Sequence, residues 1–105
     1  MKDIAIVYVL FGDRAAAEDA ATQMIDRRLA ACANVQADCL SVYRWQGVKE
    51  RSDETPVLFK TALDRRSALM AALAVDHDYE LPAISSWTAT TTDAYADWVE
   101  VSTGQ

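Results

Sequence analysis

A chain of 105 residues buries one thin hydrophobic core and not two, so a single domain over residues 1–105 is expected. Its formal net charge of -6 repels phosphate backbones and anionic lipid heads, which argues against nucleic acid and membranes as partners. Only three glycines occur, Gly12, Gly47 and Gly104, too few for a phosphate-cradling loop of the dinucleotide or P-loop type.

The apolar run Ile4 to Leu10 predicts a strand buried on both faces. It is too short to cross a bilayer and lacks a signal-peptide cleavage site, so a cytoplasmic location is expected. Asp13 is the predicted N-cap of a helix running to about Leu29, with Ala17, Ala21, Met24, Ile25 and Leu29 along one stripe and Arg27 and Arg28 in the last turn. Ala33 to Trp45 reads as one long extended stretch, closed by a turn at Gln46-Gly47 before the polar segment Lys49 to Glu54. Pro56 suits the first position of a strand over Val57 to Leu63, where no backbone donor is needed. Asp64 is the predicted cap of a helix through Val75 that buries Leu69, Met70 and Leu73. After Leu81-Pro82, Ala83 to Thr88 forms a last strand, and Thr91, Thr92 or Asp93 caps a terminal helix carrying Tyr95, Trp98 and Val99.

The order β-α-β-β-α-β plus a helix predicts an α+β fold, a ferredoxin-like βαββαβ sandwich with an additional C-terminal helix. Such a sandwich leaves one sheet face bare, yet both central strands are apolar on both faces. A four-strand face projects roughly 400 Å², near the largest apolar patch of an ordinary monomer. Hiding it is worth on the order of 10 kcal/mol before association entropy is deducted. Another copy of the chain is the expected cover; composition does not choose between dimer and trimer. Cys32 and Cys39, the only cysteines, stand roughly 23 Å apart if the segment between them is extended, beyond disulfide reach, and read as small apolar residues.

Five segments carry a family resemblance. They are Arg28-Leu29-Ala30-Ala31-Cys32-Ala33-Asn34, Ser41-Val42-Tyr43-Arg44-Trp45-Gln46-Gly47, Lys60-Thr61, His77-Asp78-Tyr79-Glu80-Leu81-Pro82-Ala83-Ile84 and Tyr95-Ala96-Asp97-Trp98. In order and separation they resemble the signature words of the CutA family of divalent-cation tolerance proteins over nearly the whole chain. The resemblance implies a homotrimer related in architecture to the PII signalling proteins, with hairpins crossing to neighbours. It makes Tyr43 and Trp45 trimer-interface anchors that also wall a cleft between subunits. Cys32, Lys60, His77, Tyr79 and Glu80 are the positions it implies for such a cleft.

The resemblance also raises a divalent metal, copper above all, with His77 as the candidate ligand. Here the chain departs from the family pattern: Val9 stands where some members have a cysteine, Asp76 replaces a histidine and Asp78 a proline. Copper and zinc sites want three or four soft or imidazole ligands, and one chain offers a lone histidine. In the ferredoxin-like order Cys32 and His77 fall roughly 14 Å apart on opposite edges and meet only across an interface. The competing expectation makes His77 a helix-terminus residue bonded to carbonyls, and a looser one groups Asp76, His77, Asp78 and Glu80 around a hard ion. Lys60, near a strand end, needs a carboxylate such as Glu80 or an anionic ligand.

The leading expectation is a non-enzymatic trimer that binds a metal ion or small ligand between subunits. A structural or signalling scaffold is the alternative. A thiol enzyme would need His77 beside Cys32 or Cys39 and an oxyanion donor pair, which no local sequence supplies. An RNA-binding module would need aromatic RNP words and the opposite charge.

Overall fold

The structure is a computed structural model that describes residues 1–104. Its elements are β1 (Lys2–Phe11), α1 (Arg14–Asp26), β2 (Cys32–Val35), β3 (Cys39–Trp45), β4 (Val48–Thr61), a 3-10 turn (Leu63–Arg65), α2 (Arg66–Asp76), β5 (Ile84–Thr91) and α3 (Asp93–Thr103). The antiparallel sheet runs β2-β4-β1-β5, with β3 paired to the far half of β4. Among the described residues no helix is long and apolar enough to cross a membrane.

Two expected boundaries move for backbone reasons. Asp13 caps α1 as expected, its Oδ1 accepting from the Ala16 N–H at 2.8 Å. The helix nevertheless stops at Asp26 instead of Leu29. Arg28 sits at φ 58, its N–H bonds the Ile25 carbonyl and that of Leu29 bonds the Met24 carbonyl, each at 3.0 Å, a Schellman closure with arginine in the usual glycine position. Leu29 is buried beyond the helix and Ile25 is exposed. Asp64 does not cap α2: it lies inside the 3-10 turn, and α2 has no side-chain cap. Thr92 is the α3 cap, accepting from the Tyr95 N–H at 3.3 Å.

The long extended stretch is two strands, and the polar segment Lys49 to Glu54 is itself strand. It continues through Pro56 into a single fourteen-residue strand, β4. Proline is tolerated there because of where the ladder breaks. The Pro56 carbonyl accepts from the Gln36 N–H at 2.9 Å, so its ring nitrogen faces the interruption between β2 and β3, where no donor is required. Thr55 Oγ1 donates to Asp38 Oδ1 at 2.6 Å and Arg14 Nη2 to the Gln36 carbonyl at 2.7 Å, tying that interruption down. Beyond it, β3 and β4 form a hairpin closed by Gln46 (φ 51) and Gly47 (φ 82), both positive as a two-residue hairpin turn requires. The hairpin carries the long axis of the molecule to 45 Å.

The sheet has two differently covered faces. Val7, Val9, Phe11, Val57 and Phe59 pack under α1 and α2 against Met24, Leu69 and Leu73. The other face is not wholly bare, as the sandwich topology alone suggested. The terminal helix α3 folds onto it, burying Ala96 and Val99 on Ile4 and Ile6. Ion pairs pin it to the start of β1: the amino terminus to Asp93 at 2.8 Å and Lys2 Nζ to Asp97 at 2.6 Å. Further along the same face Tyr8 and Trp87 meet with ring centroids 6.4 Å apart, and Trp87 stays exposed.

Val99 is fully buried in this second cluster, so Val99→Ala is expected to destabilise the chain by about 2 kcal/mol. Chemical denaturation measures this; an effect near that of an exposed α3 position such as Val101→Ala would show that α3 does not dock as described.

Candidate functional site

The residues expected to share one cleft divide into two groups at opposite ends of the open face, with His77 behind them. Cys32 and Lys60 are register partners across β2 and β4, next to Ile6 in the same row. Tyr95 of α3 lies over them, its ring centroid 6.0 Å from Lys60 Nζ, a cation–π contact. The Cys32 thiol donates to Asn34 Oδ1 at 3.6 Å. Burial pushes the Tyr95 phenol up, and the charge and hydrogen bond of the Cys32 sulfur push it further. The expected Lys60–Glu80 ion pair does not form; Glu80 belongs to the other group.

That second group lines a cleft of about 680 Å³ where the hairpin leaves the sheet. Tyr43 and Trp45 stand on one side and Tyr79 and Glu80 on the other, with Leu10 and Glu54 among its lining residues. Glu54 was missed in sequence because it sits in the polar segment after the turn, to which no element was assigned. As part of β4 it is a strand residue only 7% exposed, and the Tyr79 hydroxyl donates to its Oε2 at 3.1 Å. Burial first, then the Glu54 hydrogen bond and charge, push the Tyr79 phenol up to about 12.

Gly12 makes this contact possible. A Cβ there would stand 3.1 Å from Tyr79 Oη and 3.3 Å from Cε1, so a larger residue displaces the ring by a few tenths of an ångström.

His77 is the C-cap of α2, and its side chain is fully buried. The ring stacks on Phe11 at 4.9 Å and 10° and packs against Tyr79 at 4.6 Å. Its Nδ1 accepts from the Tyr79 N–H at 3.1 Å, so the ring proton resides on Nε2, which donates to the Leu10 carbonyl at 2.8 Å. Asp78 lies 3.5 Å from Nδ1, but an unprotonated nitrogen makes no ion pair with a carboxylate. Both nitrogens are therefore engaged by the backbone of this chain, which agrees with the helix-terminus reading of His77 and leaves neither nitrogen free for a metal in this arrangement. It stacks on the helix-side residue Phe11 while Cys32 lies on the other face, so the sheet separates the imidazole from that thiol. Among the described residues no three His, Cys, Asp or Glu side chains are grouped to hold a metal ion, so neither the copper set nor the hard-ion cluster fits one chain.

A ββ-paired α+β sandwich with helices on one face, a docked terminal helix and a protruding hairpin defines a ferredoxin-like protein of the PII-like kind. Within that class, the sequence profile of the CutA1 divalent ion tolerance protein family matches residues 5–102, and the chain belongs to that family. The divalent-cation tolerance proteins CutA of Citrobacter koseri and of Escherichia coli O139:H28 are each 32% identical over 91 residues, 86% of this chain and 79% and 81% of theirs. Among solved structures, CutA1 of Ehrlichia chaffeensis superposes with a TM-score of 0.93 at 25% identity over 100% of this chain and 99% of its own. CutA of Xylella fastidiosa superposes with 0.93 at 27% identity, over 98% and 100%.

The Tyr79 phenol gives a direct check of the cleft. Its folded pKa lies above the ordinary 10.0, so its contribution to stability is complete below pH 10 and fades as the pH rises through about 12. In an ultraviolet phenolate titration Glu54→Gln should lower this midpoint yet leave it above 10, because burial is the larger cause. Gly12→Ala, whose Cβ displaces the ring by only a few tenths of an ångström, should shift it far less than Glu54→Gln does. A midpoint unchanged in Glu54→Gln would contradict the contact.

Proposed function

We propose that the chain is a non-enzymatic subunit of a cytoplasmic homotrimer of the divalent-cation tolerance type, which takes a small ligand or ion in clefts where copies meet. One observation supports the assembly above the others. The β3–β4 hairpin projects from the core with apolar side chains on both of its faces, Leu40 and Val42 on one and Tyr43, Trp45 and Val48 on the other. Leu40, Val42 and Val48 are each more than half exposed, at 53%, 57% and 58%. An isolated two-stranded hairpin is marginal in water, and a two-sided apolar one is an association surface. Trp87, also exposed, extends the surface along the open face. The number three comes from the family resemblance.

Two free thiols, Cys32 and Cys39, suit a reducing compartment. Their β4 partners Lys60 and Glu54 are six residues apart, which separates them by roughly 20 Å. A divalent ion held at contacts between copies, where a second chain adds ligands, agrees with the absence of a three-residue donor group among the described residues and with the two backbone bonds of His77. His77 also has no free nitrogen to activate a thiol, which favours binding over catalysis.

Light scattering on a sizing column tests the assembly. The wild-type chain should elute at three times the chain mass, and Val42→Asp, which puts a charge on the exposed hairpin face, should shift it toward the single chain while α-helical circular dichroism persists. A wild-type protein with the mass of one chain would refute the proposal. Calorimetric titration with copper(II) should give the same isotherm for wild type and His77→Gln; loss of uptake in the variant would restore His77 as a ligand.

A further inference from the structure

The cleft beside the hairpin contains a charge that its own chain leaves unanswered. Glu54 is buried, yet the only hydrogen bond of its side chain among the described residues is from the neutral Tyr79 hydroxyl to Oε2. Among the described residues no donor reaches Oε1 and Glu54 takes part in no ion pair. Oε1 is not among the buried atoms left without a partner, so it keeps contact with the water of the cleft, and a charged N–H donor entering the cleft is the partner best suited to replace that water. Tyr79 cannot change this balance, because it stays protonated and donates.

The remaining lining specifies the sign and shape of what fits. Glu80 adds a second carboxylate at the same cleft. The one cation of the lining, Arg44, is turned toward the hairpin turn, its Nη1 donating to the Gly47 carbonyl at 3.1 Å. Anions are therefore disfavoured. A bare divalent metal is disfavoured too, because two carboxylates from one chain do not complete an oxygen shell. Tyr43 and Trp45, partly exposed at 43% and 37%, present ring surface to the cleft, and Leu10 and Leu81 make the rest of the wall apolar. Aromatic faces beside a carboxylate with one free oxygen are the recognition chemistry of an ammonium group carrying a hydrocarbon body. The volume, about 680 Å³, falls in the range of small-molecule sites.

We infer that this cleft binds a small organic cation, an alkyl- or arylammonium, with its N–H groups on Glu54 and its apolar body between Tyr43, Trp45 and Leu81. This deepens the proposal of a ligand site at the hairpin, on which it depends. The ammonium donates to Glu54 Oε1, Glu80 adds long-range attraction at the same cleft, and Tyr79 holds Oε2 in place. Nothing is transferred; the site is a binding site only.

The probe is benzylammonium, with benzyl alcohol as its uncharged counterpart, titrated calorimetrically at neutral pH while light scattering records the mass. Saturable benzylammonium binding at least tenfold tighter than that of benzyl alcohol is expected, with amide NMR shifts clustered on Ser41–Trp45 and Tyr79–Ala83. Glu54→Gln, which keeps an acceptor for Tyr79, should weaken benzylammonium at least tenfold without changing the mass, and Tyr79→Phe should weaken it less. Equal affinity for the alcohol overturns the inference, as does the absence of benzylammonium uptake. If uptake is absent while the mass remains that of three chains, the ligand assignment fails and the assembly proposal survives. If Glu54→Gln dissociates the protein, the carboxylate serves a cation of a neighbouring copy, and the inference is equally overturned. Uptake by a protein with the mass of one chain upholds the ligand class and removes the assembly.

Discussion

One strand, β4, belongs to two different environments, and the molecule is arranged around that constraint. Its lower half, from Pro56 to Thr61, pairs with β1 and β2 and contributes Val57 and Phe59 to the core under α1 and α2. Its upper half, from Val48 to Glu54, leaves the core with β3 as its only partner. Paired to it there, β3 carries Leu40, Val42, Tyr43 and Trp45 out beyond the core, and with Val48 of β4 these apolar side chains stay exposed in space that this chain does not fill. Pro56 and the interruption between β2 and β3 mark the junction, where the backbone changes partners without leaving a donor unpaired.

Around that junction the open face is occupied unequally. At the end near the start of β1, α3 buries Ile4 and Ile6 and holds Tyr95 over Cys32 and Lys60. At the hairpin end, the segment after α2 crosses the tip of β1. His77 fastens it there by bonding the Leu10 carbonyl and the Tyr79 N–H, and this delivers the Tyr79 hydroxyl to Glu54. The histidine thus shapes the cleft from behind without opening onto it. Between the two ends Tyr8, Leu58 and Trp87 form the part of the face that is only partly covered.

Much of this was legible in the residues. The run Ile4 to Leu10 announced a two-sided strand, Asp13 a helix start and Gln46-Gly47 a hairpin turn, because each depends on local chemistry. The family words placed the fold and marked Tyr79 and Glu80. What escaped was decided by distant partners. Lys49 to Glu54 has the polarity of a loop, and only pairing to β3 makes it a strand; Glu54 was lost with it. The split of Cys32 and Lys60 from Tyr79 and Glu80 follows from which sheet end each strand reaches, which composition does not encode. That α3 returns to the open face is written in Ala96 and Val99, but an amphipathic stripe does not name the surface it meets. His77 was a candidate ligand only through the family resemblance, and the helix-terminus role also read from its position agrees with its bonds to the Leu10 carbonyl and the Tyr79 N–H.

The central claim is that the upper half of β4 and its partner β3 are held in place by other copies of the chain. Amide hydrogen exchange of the hairpin, followed as the protein is diluted, measures this most directly. Inward amides of residues 40–54 should exchange slowly in concentrated solution and lose protection together as the assembly dissociates, while the amides of β1 remain protected. Slow exchange in the hairpin that persists at the mass of a single chain, or fast exchange at every concentration, would contradict the account.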